Sequence, residues 1–355
     1  MTREIGINLG FSGLLLALGL GGALVARQIG APMPFMLGAL AASAVMAGLF
    51  GARYPANYAF PTPVRLAFIG VIGVMIGSQV DPAMFANAGG VVVSLSVVAL
   101  FVLASQFMNL FIFHRIGGYD RATAWFAGSP GGLIEAITMG EEAGGDVRVL
   151  TLLQFLRIIF VVSLLPIAFS IWHGAPVGSA AGISFGSAVG GVEQLPLVAL
   201  LVVVGLGLKR VLHLPAGQLI GPLIAAAIVS WFGWADLNMP PWLLAAAQVV
   251  LGVHLGVRFH GVNRALLIKA AQMSLLSVSA MLALGFVLAL AVGWATGISL
   301  EVLIISYAPG GVTEMGLVAI SLAANPTLVT LHHLFRITLT VLLLSMAKRF
   351  GIIRL

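Results

Sequence analysis

The stretch GSPGGLIE at residues 128–135 returns as YAPGGVTE at residues 307–314, 179 residues further along the chain. The same offset aligns Arg157 with Arg336 without a gap. We infer that the two halves are one ancestral unit used twice, because self-similarity at a fixed spacing is the signature of internal duplication. Duplication of this kind is typical of membrane transporters.

The composition indicates that the protein lives in a lipid bilayer. Hydrophobic residues make up 60% of the chain, charged residues only 8%, and the mean hydropathy is +1.12, whereas a soluble domain carries about 25% charged residues. The 44 glycines fit close packing of helices in lipid. The net charge of +6 is explained by basic cytoplasmic loops rather than by nucleic acid. Because the chain has no cysteine, disulfides and thiolate metal sites are excluded.

Six apolar segments can be drawn in each half of the chain. They cover residues 8–26, 34–50, 63–79, 89–113, 121–140 and 148–171 in the first half, and 195–208, 217–234, 242–257, 269–295, 300–322 and 327–346 in the second. Near the start of each half, an offset of 183 matches Gly38 to Gly221. We therefore predict repeat 1 at 1–175, a linker rich in Gly, Ser and Ala at 176–194, and repeat 2 at 195–355.

The distribution of Arg and Lys decides between two topologies, both with the N-terminus inside. If all twelve segments cross, the loop charges divide 8 inside to 7 outside, leaving aside Arg157 and Arg336 within helices. If each Pro-Gly-Gly segment enters and returns on one side, fourteen lie inside and only Arg27 lies outside. The fourteen are Arg3, Arg53, Arg65, Arg115, Arg121, Arg148, Lys209, Arg210, Arg258, Arg264, Lys269, Lys348, Arg349 and Arg354. Because Arg and Lys are enriched on the cytoplasmic side, we predict an all-α polytopic membrane protein of two inverted-topology repeats. Each repeat has about five transmembrane helices plus one re-entrant or broken Pro-Gly-Gly segment.

The Pro-Gly-Gly segments predict interrupted helices at membrane depth. Proline removes a backbone donor and glycine frees the backbone, and the unwound polar groups are tolerated in a membrane only inside protein or beside a wet cavity. The helix that restarts after each break has free amides at its N-terminus, which favour an anion. Ser129 adds a hydroxyl that Ala308 lacks in the second half, so the two sites are not equivalent. A plain structural kink is the alternative.

Two acidic and two basic side chains lie well inside the predicted membrane segments, away from the segment ends. Glu135 and Glu314 each follow a break, and Arg157 and Arg336 lie midway along the sixth segment of each half. Because ionisable residues are costly at membrane depth, they are functional candidates by default. One interpretation pairs each glutamate with the arginine of its own half as a structural ion pair. The other has the arginines holding an anionic substrate while a glutamate carries a proton or Na⁺.

The residues three positions before the arginines complete the candidate site. Gln154 and His333 occupy these matching positions, on the same helix face as the arginines. They differ between the halves, which favours an asymmetric site, with a packed or solvated histidine as the alternative. The candidate substrate- or ion-binding residues are Ser129, Pro130, Gly131, Gly132, Glu135, Gln154 and Arg157 in the first half and Pro309, Gly310, Gly311, Thr313, Glu314, His333 and Arg336 in the second.

The paired SPGGLIE and APGGVTE motifs, together with the duplicated arginine-bearing helices, resemble the AbrB-type membrane protein family, which has a duplicated AbrB domain. The resemblance covers almost the whole chain. It implies the labels that members carry, regulator of gene expression and ammonia monooxygenase, although no DNA-binding domain and no motif such as HExxH occurs in this sequence. More distantly, the architecture resembles the glutamate and citrate secondary transporters, whose inverted repeats carry Gly-Gly re-entrant loops.

These observations predict a secondary active transporter of a small organic solute, anionic in the simplest interpretation, with a midplane site built by the two breaks. A membrane-embedded sensor or regulator of gene expression is the second hypothesis, and a membrane monooxygenase is the third. We predict no enzymatic activity and no bound cofactor, with H⁺ or Na⁺ as the coupling ion. The expected partners are the lipid bilayer and the solute, with a homodimer left open and no nucleic acid. The expected location is the bacterial inner membrane, with both termini in the cytoplasm.

Overall fold

The computed structural model describes residues 2–55, 58–80, 87–177, 192–212, 216–235, 237–259 and 263–349, and within these ranges the regular structure is helical, with no β-strand. The α-helices are α1 Thr2–Gln28, α2 Pro34–Leu49, α3 Thr62–Gly77, α4 Ala88–Leu110, α5 Arg121–Ala127, α6 Leu133–Glu142, α7 Val147–His173, α8 Leu195–Leu212, α9 Gly217–Trp231, α10 Pro241–Gly256, α11 Arg264–Thr296, α12 Leu300–Tyr307, α13 Val312–Ser321 and α14 Pro326–Arg349. The predicted linker at 176–194 lies mostly outside the described residues.

Six helices in the described part of the chain are long and apolar enough to cross a membrane. They are Asn8–Gln28, Ala88–Ile116, Val147–His173, Pro241–Phe259, Arg264–Thr296 and Pro326–Arg349. Five further apolar helices are shorter, at 10 to 17 residues, whereas a straight span needs about 20. The prediction of an all-helical membrane protein is confirmed at this level.

Local sequence explains where several of these helices begin. Proline stands in the first turn of α2, α3 and α10, where its missing amide hydrogen is not needed. The side chain of Asp120 accepts from the Thr123 amide at 2.8 Å and caps α5. Asn263 and Ser299 cap α11 and α12 in the same way.

The chain divides into two compact units, and each unit takes segments from both halves of the sequence. Unit 1 comprises the described residues of Met1–Pro82, Leu165–Val262 and Gly316–Thr327. Unit 2 comprises those of Ala83–Leu164, Asn263–Met315 and Leu328–Leu355. The first three helices of each half therefore belong to unit 1, and both Pro-Gly-Gly breaks belong to unit 2.

In unit 1, helices from the two halves pack against each other, α3 against α9 and α2 against α10. Gly73 lies against Leu219 and Gly77 lies against Leu223, so α3 and α9 run in the same direction. The contact needs glycine, because a methyl group at Gly73 would collide with the carbonyl of Leu219.

The pair α2 and α10 has the equivalent geometry. Gly252 lies against the carbonyl of Met36, and Gly256 lies against that of Leu40, so these helices also run parallel. The start of α3 meets the end of α10, because Arg65 Nη1 lies 3.3 Å from His254 Nε2. Helix α3 is therefore antiparallel to α10 and to α2.

Close glycine crossings occur at equivalent places in both halves. Gly22 on α1 meets Gly38 on α2, and Gly205 on α8 meets Gly221 on α9, backbone against backbone. The offset of 183 relates the members of these two pairs. Small residues at such crossings let helices approach closely where no hydrophobic effect drives them together.

In unit 2, the helices α4 and α11 pack side by side. Ser277 Oγ donates to Asn109 Oδ1 at 2.7 Å, while Gly285 lies near the ring of Phe101. Since positions rise along α11 as they fall along α4, the two helices are antiparallel. They form the frame on which the two breaks are held.

Candidate functional site

Both Pro-Gly-Gly segments interrupt their helices in the structure. Helix α5 ends at Ala127 and α6 begins at Leu133, and α12 ends at Tyr307 and α13 begins at Val312. The breaks differ in backbone conformation, because Gly132 has a left-handed φ of 61° whereas neither glycine of the second break has a positive φ. Position 132 is therefore one where a side chain would strain the backbone.

The first interrupted segment folds back on itself. The amide of Asp146, beyond the end of α6, donates to Thr123 Oγ1 in the first turn of α5 at 2.8 Å. Gly140 also lies against Phe126, so α5 and α6 are antiparallel neighbours. The chain thus leaves the Pro-Gly-Gly tip toward the end at which it arrived.

Matching side chains from the two halves bind the carbonyls freed at the breaks. Gln154 Nε2 donates to the carbonyl of Phe126 at 3.0 Å, and His333 Nε2 lies 3.1 Å from the carbonyl of Ile305. The offset of 179 relates both the side chains and the carbonyls. Because a carbonyl only accepts, the hydrogen is on Nε2 of His333.

The two arginines repeat the pattern one turn further along α7 and α14. Arg157 Nη1 donates to the carbonyl of Ser129, and Arg336 Nη1 donates to that of Ala308, which is the equivalent position. Arg336 Nη2 also donates to the carbonyl of Gly310 at 2.5 Å. The guanidinium groups therefore replace the hydrogen bonds that each helix lost at its break.

Each of these four side chains also has a buried polar atom without a hydrogen-bond partner. The four atoms are Gln154 Oε1, Arg157 Nε, His333 Nδ1 and Arg336 Nε. All four residues are buried, with Arg336 and His333 at 0% exposure. Buried polar groups without a partner are uncommon in native proteins, so their gathering in matched positions makes this region the candidate binding site.

The two glutamates lie in the first turns of α6 and α13, where a negative charge is stabilised by the free amides and the helix dipole. Glu314 folds back over Gly311 so closely that a methyl group there would collide with its carboxylate. Glu135 is exposed and lies by Gly132. The two carboxylates thus lie at the helix N-termini that we predicted to favour an anionic ligand.

The charges interact across the halves of the chain. Arg157 is attracted by Glu314, and Arg336 is repelled by Arg157. Among the described residues no salt bridge joins Arg157 to Glu135, and the pairing of these two residues stays a prediction. The mutual influence of the arginines indicates that both breaks converge.

A contact along α14 supports the same convergence. Gly131 of the first break lies against Ile337, the residue after Arg336, and against Thr340, one helical turn after Arg336. Gly132 lies against Val341. The helix that binds the carbonyls of the second break therefore also carries the surface on which the first break rests.

Two polar residues of α4, which the sequence analysis did not select, complete the support. Gln106 Nε2 donates to the carbonyl of Trp125 at 2.7 Å, and Asn109 Nδ2 donates to that of Gly128 at 2.8 Å. Their signal in the sequence was an uncharged polar side chain inside an apolar span, which often marks interhelical hydrogen bonding.

A second network lies beside the second break. Ser94 Oγ lies 2.7 Å from His332 Nε2 and 2.9 Å from the hydroxyl of Tyr307, the last residue of α12. His332 Nδ1 lies 2.7 Å from the carbonyl of Leu328, so it donates there and Nε2 accepts from Ser94. His332 is thus a packed histidine with both ring nitrogens paired.

An open pocket of about 610 Å³ runs along α6 and α14 in unit 2. Glu135, Thr138, Met139 and Ser345 line it, and the exposed ion pair of Glu142 with Lys348 stands at its side. Among the described residues, no three His, Asp or Glu side chains come together as a metal site.

The all-helical architecture and the six apolar helices fit the class of polytopic membrane proteins. The model of the AbrB family, described as "Transition state regulatory protein AbrB", matches residues 44–351. The chain therefore belongs to the AbrB family.

Two relatives share most of its length at low identity. "Uncharacterized protein YhjN" of Bacillus subtilis is 25% identical over 292 residues, which is 77% of this chain and 75% of the relative. "Putative regulator AbrB" of Escherichia coli is 24% identical over 314 residues, covering 84% of this chain and 86% of the relative.

Proposed function

We propose that the protein is a secondary active transporter of the bacterial inner membrane, with a substrate site at the two Pro-Gly-Gly breaks of unit 2. The observation that carries the proposal is the matched set of Gln154, Arg157, His333 and Arg336. Each binds a carbonyl freed at a break and has one buried polar atom left over. Interrupted helices with binding groups at the interruption are the usual construction of transporter sites.

Inverted repeats are part of this proposal. Helix α4 is antiparallel to α11, its equivalent in the second half. In unit 1, α2 is parallel to α10, α10 is antiparallel to α3, and α3 is parallel to α9, so the equivalents α2 and α9 also oppose each other. Opposed equivalents are expected when one repeat is inserted upside down.

A re-entrant first segment is supported by the return of α6 to the start of α5. If the segment crossed the bilayer, Asp146 and Thr123 would be separated by the hydrocarbon core of about 30 Å; their atoms are 2.8 Å apart. The exposed Glu135 and the pocket along α6 and α14 would then give the aqueous approach to the break.

A small organic anion is the substrate class that the charges favour. The charged side chains are the buried Arg157 and Arg336 and the half-buried Glu314, which leaves an excess of one positive charge when the carboxylate is ionised. A proton on Glu314 would raise that excess to two. Because a proton on Glu314 increases the positive charge available to an anion, we propose that anion binding is coupled to H⁺. Na⁺ bound at the carboxylate is the alternative.

The relative named as a regulator supports a second candidate, a membrane-embedded sensor. A sensor would bind the ligand at the same breaks without moving it. Proteoliposomes separate the two functions, because a sensor gives ligand-dependent protection without uptake.

The test is uptake of a panel of radiolabelled organic acids under H⁺ and Na⁺ gradients, in wild type and in Gly131→Ala. A methyl group at Gly131 would have ordinary contacts at 3.4 and 3.5 Å, so the variant is expected to fold. Alanine favours helix by about 1 kcal/mol and rewinds the break, so uptake is expected to fall at least tenfold. Gly89→Ala, in open space on α4, is the control. Normal uptake by both Gly131→Ala and Gly310→Ala would place the site elsewhere.

A further inference from the structure

Unit 1 contains a basic pocket that the proposed transport site does not use. It has a volume of about 310 Å³ and lies where the start of α3 meets the end of α10. Its polar or aromatic lining consists of Tyr58, Phe60, Thr62, Arg65, His254 and Arg258. None of the described side chains that line it is acidic.

The imidazole of His254 is held between the two guanidinium groups. Arg65 Nη1 lies 3.3 Å from His254 Nε2, and Arg258 Nη2 lies 3.5 Å from the same atom. Because guanidinium only donates, Nε2 must accept, and the imidazole is neutral with its hydrogen on Nδ1. The pocket thus brings two positive charges together around a neutral ring.

Two buried hydrogen-bond donors in this neighbourhood have no acceptor. Arg65 Nε and His254 Nδ1 are both buried and without a partner. The Tyr58 hydroxyl is joined to Ser12 Oγ at 2.6 Å, and burial raises the pKa of Tyr58, which keeps the hydroxyl neutral. A bound group with several acceptor oxygens and negative charge would accept hydrogen bonds from these donors.

The duplication supplies an internal comparison. The positions in the first half that match His254 and Arg258 are Met75 and Gln79, and the position in the second half that matches Arg65 is Leu244. The basic cluster is therefore absent from the equivalent end of the other repeat. Packing of the duplicated helices does not require these side chains, so their presence at one of the two equivalent ends needs a separate explanation.

We propose that this pocket binds the phosphate group of an anionic ligand, either a phospholipid headgroup or a soluble phosphate. Each of the two guanidinium groups presents a planar fork of N–H donors, which can bind phosphate oxygens in pairs. Arg258 stands at the end of the span Pro241–Phe259, the level at which lipid phosphates lie. Basic pockets between transmembrane helices commonly hold such headgroups. The inference is independent of the transport proposal and survives its failure.

The experiment measures thermal stability of the full-length protein in two arms. One arm titrates inorganic phosphate against chloride at equal ionic strength in neutral detergent. The other compares nanodiscs of phosphatidylglycerol with nanodiscs of phosphatidylcholine, and native mass spectrometry records lipid retained on purification. The variants are Arg65→Gln and Arg258→Gln, with Arg53→Gln as control. Arg53 is exposed, stacks on Phe50 and does not line the pocket.

The expected result is stabilisation in at least one arm. Its apparent affinity should fall at least about tenfold in Arg65→Gln and Arg258→Gln, as befits loss of a charge-assisted hydrogen bond. It should change less than twofold in Arg53→Gln. Stabilisation only by phosphatidylglycerol assigns a lipid headgroup, and stabilisation by phosphate assigns a soluble ligand. No stabilisation in either arm, or equal losses in all three variants, overturns the proposal. If Arg65→Gln does not fold, the exposed Arg258→Gln carries the test.

Discussion

At the scale of the residue, the arginines of the two breaks perform one chemical task. A helix that stops inside a membrane leaves carbonyls that water cannot reach, and an unsatisfied group there costs several kcal/mol. Arg157 and Arg336 donate to the carbonyls of Ser129 and Ala308 at equivalent places. Their first role is therefore to stabilise the break. A ligand would be bound by the N–H donors of each guanidinium that do not bind these carbonyls.

Removing Arg157 should accordingly destabilise the protein. Arg157→Gln loses a buried hydrogen bond from a charged donor and leaves the Ser129 carbonyl unsatisfied, so we expect a loss of about 2–4 kcal/mol. The same change at Arg148, exposed at the start of α7, should stay within about 0.5 kcal/mol. Unfolding in mixed detergent measures both variants. Equal stability of the two would remove the carbonyl-binding role.

Glu314 and Glu135 should differ in their coupling to Arg157. Glu314 is attracted to Arg157 across the halves, and Glu135 is exposed beside its own break. In a double-mutant cycle, Glu314→Gln with Arg157→Gln should give a coupling free energy of about 0.5–3 kcal/mol, the range for interacting neighbours. The cycle with Glu135→Gln should give a value near zero. Glu135→Gln and Glu314→Gln should both be expressed, and at least one should lose pH-dependent uptake. A larger coupling free energy for Glu135 than for Glu314 would instead support the pairing of Glu135 with Arg157.

At the scale of the element, the helices were predictable and the hydrogen bonds of the breaks were not. Each of the twelve apolar segments contains one helix or two half-helices, because apolar length and Pro-Gly-Gly breaks are local signals. The pairing of Gln154 with the carbonyl of Phe126 depends on how separate helices meet, which no local pattern encodes. Gln154 could be predicted because the duplication matches it to a second polar residue. Asn109 could not, because it has no polar equivalent in the second half.

The glycine crossing of α8 with α9 should tolerate no side chain. A methyl group at Gly221 would collide with the backbone carbonyl of Gly205, a contact that no side-chain rotation relieves. Overpacking costs about 1–3 kcal/mol and alanine adds roughly 1 kcal/mol to a helix, so Gly221→Ala should destabilise by up to about 2 kcal/mol. Gly207→Ala, in open space on the same α8, should be neutral or stabilising. Melting temperatures compare them, and a stable Gly221→Ala would contradict the close crossing.

At the scale of the whole molecule, the duplication that we infer from the sequence would explain why each compact unit mixes the two halves. Unit 1 unites the first three helices of each repeat, and unit 2 unites the two breaks with the helices that bind them. Each repeat therefore contributes equivalent helices to both units. A site assembled from two such breaks receives similar groups from both repeats and differs only where the sequence has diverged, as at Gln154 and His333.

Cysteine labelling tests the proposed topology of the whole chain, because the native sequence contains no cysteine to give background. A re-entrant segment puts both of its ends on one side, so Arg121→Cys and Arg148→Cys should both react with an impermeant maleimide only after the membrane is permeabilised. In an inverted second repeat, Glu301→Cys and Asn325→Cys should both react from outside. If Arg121 and Arg148 react from opposite sides, the first segment crosses the membrane. If all four positions react from the same side, the repeats are not inverted, and the antiparallel course of α4 and α11 needs another explanation.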